Sequence, residues 1–370
     1  MTEVMKVPFF KLGLPYQNLK GELDNAYHQV FEDEAFGEGP HVRNFEEAFA
    51  QAHDMQFCAA VASGTSALHL ILTALNIGQG HEVIVPTNTC FATAAAVSHC
   101  GAKPVFVDSD AYYGLSIEQL ETAVTSQTKA IIAVHLYGQA VALDRLQAFC
   151  TEHQLHLVED CAQALFAQYQ QRLVGTFGVA AAFSFYPTKN LGAYGEAGAV
   201  ITNDDKLYRK IQRLKNLGSS HRGEHQEVGF NYRMDGLQAA LLKVKLPHVQ
   251  QWNEHRRKLA NLYLDRLKHL PEITLPSVRP QAEHVYHLFV IEVAERNLLQ
   301  DYLRSAGITT LIHYPIACHL QPAYQVLEYE EGSLPRAEQA ATQVVSLPLS
   351  EQHELQEISY VAEKIIEYYQ

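Results

Sequence analysis

Residues 130–163 read AIIAVHLYGQAVALDRLQAFCTEHQLHLVEDCAQ. The run 130–135 (AIIAVH) is short, apolar and rich in β-branched residues, as a strand buried on both faces must be. Residues 143–153 then space their apolar side chains three and four apart, the period of an amphipathic helix. At 155–159 the sequence LHLVE returns to a strand. Strand, covering helix and strand in close succession predict a crossover between parallel neighbours.

The same alternation extends to both sides. Strands are expected at 57–61, 82–86, 104–108, 180–185 and 197–202, and helical spacing at 64–76, 90–100 and 116–125. The fold class is therefore α/β, a mostly parallel sheet with helices on both faces. The segment joining the last two strands is too irregular for a crossover helix, so an antiparallel placement is expected there. A long helical region follows Met234, passes Pro247 and runs to about Leu270. After it come a strand at 287–293, a helix at 295–306, a short strand at 309–313, and helices at 336–346 and 351–368. We divide the chain within the long helical region. Residues 1–245 form a large domain with an N-terminal segment, and 246–370 a smaller C-terminal α+β domain.

The 370 residues are 47% hydrophobic and 19% charged, ordinary for a folded protein, with a net charge of −13. Such a balance excludes a broad binder of nucleic-acid backbone. A local basic pocket for a small anion stays possible. The beginning, MTEVMKVPFF, has no basic segment followed by an apolar one, and no run approaches a membrane span. Six cysteines lack any C-x-x-C pair, which fits a reducing, cytoplasmic setting. Nineteen histidines include no H-E-x-x-H, and the pairs His153/His156, His221/His225 and His284/His287 have no carboxylate or thiol at ligand spacing, so no metal site is expected.

Three stretches carry chemistry. In Ser184-Phe-Tyr-Pro-Thr-Lys189-Asn-Leu-Gly192 a strand ends, a proline breaks it, and a lysine follows in a loop at a carboxyl edge, where open α/β sheets bind ligands. Partial desolvation there favours the neutral amine needed to condense with a carbonyl; the alternative is a solvated surface lysine. Asp160 ends another strand, either capping the next helix or holding a pyridine nitrogen protonated. Gln163 follows one helical turn later and can face the same way. Ser63-Gly-Thr-Ser66 opens a helix, as a plain cap or as a phosphate cradle. Phe91 follows a strand and is either a core aromatic or a platform for a flat heterocycle.

Taken together, these stretches resemble the sugar aminotransferases of the DegT/DnrJ/EryC1/StrS family, within the fold-type-I superfamily that uses pyridoxal 5′-phosphate (PLP). The resemblance spans nearly the whole chain: Gly37–Pro40, Ala62–Leu68, Pro86–Thr93, His135–Gln139, Glu159–Gln163, Ser184–Gly198, Gly229–Asp235 with Gln238–Ala240, and His313–Pro315 with His319–Tyr324. It implies that Lys189 anchors the PLP aldehyde. Asp160 would pair with the pyridine nitrogen, Gln163 with the ring hydroxyl, and Phe91 would lie on the ring. Thr65, Ser66 and Ser184 would bind the phosphate, with Asn231 reaching in from the neighbouring subunit of a homodimer with shared sites. The dehydratase branch carries histidine in place of the lysine, so Lys189 argues for amine transfer. L-Glutamate is the implied donor and a nucleotide-linked keto-sugar the acceptor.

The run Pro187–Ala193, with Gly195-Glu-Ala-Gly198, is similar to family members that aminate C3, and we expect a dTDP-linked 3-keto-6-deoxyhexose. Tyr186, His313, Tyr314 and His319 are the expected substrate contacts, with Arg233 and the loop 219–228 from the partner. Pro315-Ile-Ala-Cys-His319 departs from the family's Pro-x-Pro-Leu-His form. Alternatives are amination at C4 or of an inositol ketone, or a non-catalytic PLP-binding regulator. A Rossmann oxidoreductase would need G-x-G-x-x-G after the first strand, where none stands.

Overall fold

The computed structural model describes residues 5–221 and 223–370. Seven strands form the central sheet: β1 (Phe57–Val61), β2 (Glu82–Pro86), β3 (Lys103–Val107), β4 (Thr128–Val134), β5 (His156–Asp160), β6 (Ala180–Ser184) and β7 (Gly198–Thr202). Their spatial order is β1-β7-β6-β5-β4-β2-β3. β3, β2, β4, β5 and β6 pair in parallel, while β7 runs antiparallel to both β6 and β1. Six strands thus point one way and β7 alone points back, the antiparallel placement expected from the irregular 186–197 connection.

Strand alternation sorts the sheet's side chains onto two cores. Cys58, Ala60, Ile84, Ile131, Ala133, Leu157, Ala181 and Phe183 face one, with Phe45 and Phe49 of helix Pro40–Ala52 and Leu146 of helix Leu143–Glu152. Ala59, Val61, Val83, Val85, Ile132, Val158, Ala182 and Val200 face the other, under helices Gly64–Ala74 and Phe91–His99. Phe49 meets Phe183 and Phe185 edge to face, with centroids 5.1 and 5.2 Å away. Each such ring contributes roughly 1.5–3 kcal/mol through burial. Both faces being covered explains why these strands read as unbroken apolar runs.

Beyond Met234 the helical region divides into helices Gly236–Lys245 and Val249–Leu267, joined by a 3₁₀ turn across Pro247. A third core gathers Leu259, Tyr263, Phe289, Ile291, Leu299, Val345, Ile358 and Ile365 around a small antiparallel sheet. Its strands β8 (Ile273–Thr274), β9 (Phe289–Val293) and β10 (Val344–Leu347) lie in the order β8-β9-β10. Three expectations are corrected here. The helix over 336–346 stops at Gln343, because Val344–Leu347 pair with Phe289–Glu292 as a strand. The segment 309–313 is not a strand; it makes a single bridge, Leu311 to Ser346. The helix at 116–125 shortens to a 3₁₀ turn and one α-turn, Leu120–Ala123.

Candidate active site

The carboxyl ends of β1, β4, β5 and β6 and the beginning of the segment after β2 surround a cavity of about 460 Å³. Thr65, Asp160, Gln163, Ser184, Tyr186, Lys189, His313 and Tyr314 all line it. These residues span 250 positions of sequence, and the sheet edge is what brings them together.

The turn after β1 is built for close approach. Ser63 is extended (φ −167°, ψ 168°) and caps helix Gly64–Ala74. Its Oγ accepts from the Ser66 N–H at 3.1 Å, and Ser66 Oγ accepts from the Ser63 N–H at 2.8 Å. The Ser66 hydroxyl also donates to the Ser63 carbonyl at 2.8 Å. That hydroxyl closes the cap, and Ser66, expected to bind the phosphate, is not among the residues that line the cavity. Gly64 and Thr65 do line the cavity, and a helix leaves its first N–H groups without internal partners, at the positive end of its dipole. A Cβ on Gly64 would lie 2.8 Å from that of Ser184, so only glycine lets the turn meet β6. The result is a cradle for an anion.

β5 ends in two acids that alternate across the sheet. Asp160, buried, turns to the cavity; its Oδ2 accepts from Thr93 Oγ1 at 2.8 Å and its Oδ1 from the Ala162 N–H at 3.1 Å. Glu159 turns the other way and is fully buried. It accepts from the N–H groups of Gly175 (2.6 Å), Phe177 and Gly178 (both 2.7 Å), and its Oε2 is 3.1 Å from His135 Nε2. His135, Glu159 and Cys161 cluster within 4.8 Å, but the carboxylate is already engaged on every side. Glu159→Ala should therefore strand three N–H groups and an imidazole, lowering stability by about 3–5 kcal/mol. Urea unfolding checks this, and a loss under about 1 kcal/mol would contradict it.

Lys189 sits in the loop between β6 and β7, held by its own N–H, which donates to the Tyr186 carbonyl at 2.8 Å. Burial pushes its amine below the ordinary lysine range, against the opposing pull of Cys90 and Asp160. Beneath the loop, the buried Lys245 donates to the Gly192 carbonyl and lies 4.1 Å over the Tyr194 ring. Burial lowers it to about 8. Gln163 accepts from the Tyr137 N–H at 2.7 Å and donates to the Tyr314 hydroxyl at 3.1 Å. His313 Nδ1 lies 2.8 Å from Ser346 Oγ. Burial, with Lys189 nearby, lowers His313 to about 4, so it is neutral at physiological pH. Tyr186 is 47% exposed at the mouth.

Two more residues expected in this chain's own site, His319 and Phe91, are not among those that line the cavity. His319 is buried between Thr87 Oγ1 (2.6 Å) and Glu338 Oε1 (3.1 Å), a pin between the sheet and the C-terminal segment and not a cavity residue. Phe91 begins its helix 40% exposed, its ring 5.4 Å from that of Tyr324, while its neighbours Cys90 and Ala92 line the cavity. Asn231 is exposed and bridges to Asn216; Arg233 bridges to Val61 and donates to Asn216 Oδ1 at 2.8 Å. Both lie outside this chain's own cavity. The loop 219–228 carries a short hairpin, Ser219–His221 with Glu224–His225, and Arg222 falls outside the described residues. Thr93 and His287 are wall residues that sequence reading passed over.

The model of the DegT/DnrJ/EryC1/StrS aminotransferase family matches residues 17–366. The chain belongs to this family. Among its relatives is a dTDP-3-amino-3,4,6-trideoxy-alpha-D-glucose transaminase of Streptomyces venezuelae, 43% identical over 94% of this chain and 92% of the relative. A pleiotropic regulatory protein of Geobacillus stearothermophilus is 40% identical over 99% of both. A UDP-N-acetyl-3-dehydro-alpha-D-glucosamine 3-aminotransferase of Acidithiobacillus ferrooxidans is 39% identical over 98% of both. The solved structure of S. venezuelae DesV superposes with a TM-score of 0.97 at 41% identity, covering 99% of each chain. NtdA from Bacillus subtilis, 30% identical with a TM-score of 0.91, covers 99% of this chain and 85% of its own, and carries the bound cofactor PMP. As a DegT/DnrJ/EryC1/StrS member the protein is a PLP-dependent sugar aminotransferase. The site fits the cofactor on its own chemistry: an anion cradle at Gly64–Thr65, a buried carboxylate and a desolvated amine share one cavity. No helix among the described residues is long and apolar enough to cross a membrane.

Proposed function

We propose that the enzyme moves an amino group from L-glutamate to C3 of a dTDP-linked 3-keto-6-deoxyhexose, giving a dTDP-3-amino-3,6-dideoxyhexose. The observation that carries this reading is the meeting of Lys189 and Asp160 in one cavity whose mouth is lined by Tyr186, His313 and Tyr314. When bound, PLP supplies an electron sink for the carbanion character that develops at the amino-acid Cα. The chain does the rest. Gly64, Thr65 and Ser184 would hold the phosphate, Asp160 would keep the ring nitrogen protonated, and Gln163 would serve the ring hydroxyl. Lys189, freed as a neutral amine, takes the proton from Cα and returns it as general base and then acid.

Relatives named for 3-amino sugars support the C3 position, and two of them name dTDP and UDP as carriers. The exposed Asn231 and the neighbouring Arg233, outside this chain's own cavity, suit residues offered to a second copy's site. We therefore read the enzyme as a homodimer with shared sites. Six free cysteines suit a reducing cytoplasm. The test is a panel of nucleotide-linked 3-keto and 4-keto sugars with glutamate, the aminated carbon being read by NMR. The dTDP-3-keto sugar should exceed its 4-keto isomer by roughly a hundredfold or more in kcat/KM. Turnover of the 4-keto sugar or of an inositol ketone instead would move the enzyme to another branch. Turnover of none would favour the regulatory role for which one relative is named.

A further inference from the structure

A line of fixed amides runs behind the lysine loop. Asn253, buried on helix Val249–Leu267, donates through Nδ2 to the Leu165 carbonyl at 2.9 Å. A peptide carbonyl only accepts, so this amide has one orientation, with Oδ1 turned the other way. That oxygen meets Asn190 Nδ2 at 2.7 Å, and the same nitrogen donates to the Val285 carbonyl at 3.3 Å. Asn190 is fixed in turn, and its Oδ1 is the atom 3.1 Å from His287 Nδ1. An amide oxygen needs a donor, so two backbone carbonyls dictate that His287 carries its proton on Nδ1. In a neutral imidazole Nε2 is then a bare lone pair. His287 walls the same cavity as Lys189. Its Nε2 has no protein partner among the described residues and stays accessible on the cavity wall.

We propose that His287 is a positioning residue for Lys189: its bare Nε2 accepts a hydrogen bond from the lysine amine whenever that amine is free, aiming it and steadying the ammonium formed after it takes a proton. Lys189 is Asn190's neighbour in the chain, so the residue that sets the imidazole also sets the loop bearing the amine. The lysine stem has four rotatable carbons with which to close the remaining gap. Burial first, then the charges of Lys189, Arg256 and His313, keep His287 well below the ordinary histidine range. It is therefore an acceptor throughout the working pH. Arg256 holds the backbone at this point, donating to the Tyr286 and His287 carbonyls at 3.1 and 3.3 Å and to Glu351 at 2.6 Å. The proposal rests on Lys189 being the reactive amine.

Histidine ¹⁵N NMR of the full-length enzyme tests the lock directly, with the His287 signals assigned through His287→Gln. We expect a protonated Nδ1 and a bare Nε2 from pH 6 to 9; an Nε2–H tautomer or an imidazolium overturns the proposal. The second measurement is competitive labelling of Lys189 in the pyridoxamine form, where its amine is free. His287→Phe should lower the labelling midpoint by about one pH unit, while His287→Gln, which offers Oε1, stays near the parent. Equal midpoints in His287→Phe and the parent overturn the proposal. Should His287→Phe not fold, the NMR result on the parent decides alone. Failure of Lys189 itself would show separately, as a Lys189→Ala enzyme that still transaminates.

Discussion

Lys189→Ala is expected to lose the visible absorption of the cofactor-loaded protein and to fall in transamination by roughly a thousandfold or more. In the proposed mechanism the amine has two tasks, anchoring the aldehyde and moving the Cα proton, and among the described residues no other lysine lines the cavity. Its burial lowers its proton affinity, so the neutral form becomes available at a lower pH than for a solvated lysine. The alkaline demand on the proton-abstraction step relaxes accordingly. The substitution also removes a charged group from a desolvated place, so the unfolding midpoint should hold or rise. Absorption spectra and single-turnover rates with glutamate check the first statement, and thermal unfolding of the cofactor-free protein the second. A variant that keeps its colour and its rate would sink the assignment.

Asp160→Asn should leave the fold intact and reduce kcat by roughly a hundred- to a thousandfold, the usual effect of removing one preorganised charge at a reacting centre. The amide has the carboxylate's shape and can keep the bond from the Ala162 N–H. It lacks the charge that holds a pyridinium proton. Thr93→Val separates charge from orientation: it removes the donor to Oδ2 and the 3.1 Å hydroxyl contact with Thr89, and leaves the carboxylate charge in place. We expect it to lose about tenfold, in line with one hydrogen bond to a charged group. Rates measured with glutamate alone isolate this half of the reaction from any question of the sugar. Equal rates in Asp160→Asn and the parent would remove Asp160 from the mechanism.

The central strands were legible because both faces are covered. A strand such as AIIAV has no polar side to blur it, and the observed bounds differ from the expected ones by a residue or two. Legibility failed where an apolar run admits two periods. Val344–Leu347 reads equally well as the end of a helix, and only its pairing with Phe289–Glu292 makes it a strand. Within the site, Lys189, Asp160, Thr65 and Ser184 could be placed together because the carboxyl edge of a parallel sheet is one location in space. His319 could not be placed, because its neighbours Thr87 and Glu338 come from distant parts of the chain. His287 was missed for the same reason. Its chemistry depends on amides contributed by the lysine loop and by helix Val249–Leu267, a relation no spacing encodes.

The reversed direction of β7 has a mechanical outcome. A parallel strand in that position would begin at the far edge of the sheet, and the lysine loop would be a long tether crossing it. As built, the loop leaves from Ser184 and rejoins at Gly198, residues directly opposite one another in the β6–β7 ladder. Both feet of the arch stand on the same rigid floor, a strand's width apart. The arch therefore fixes where the Lys189 backbone stands on the cavity wall.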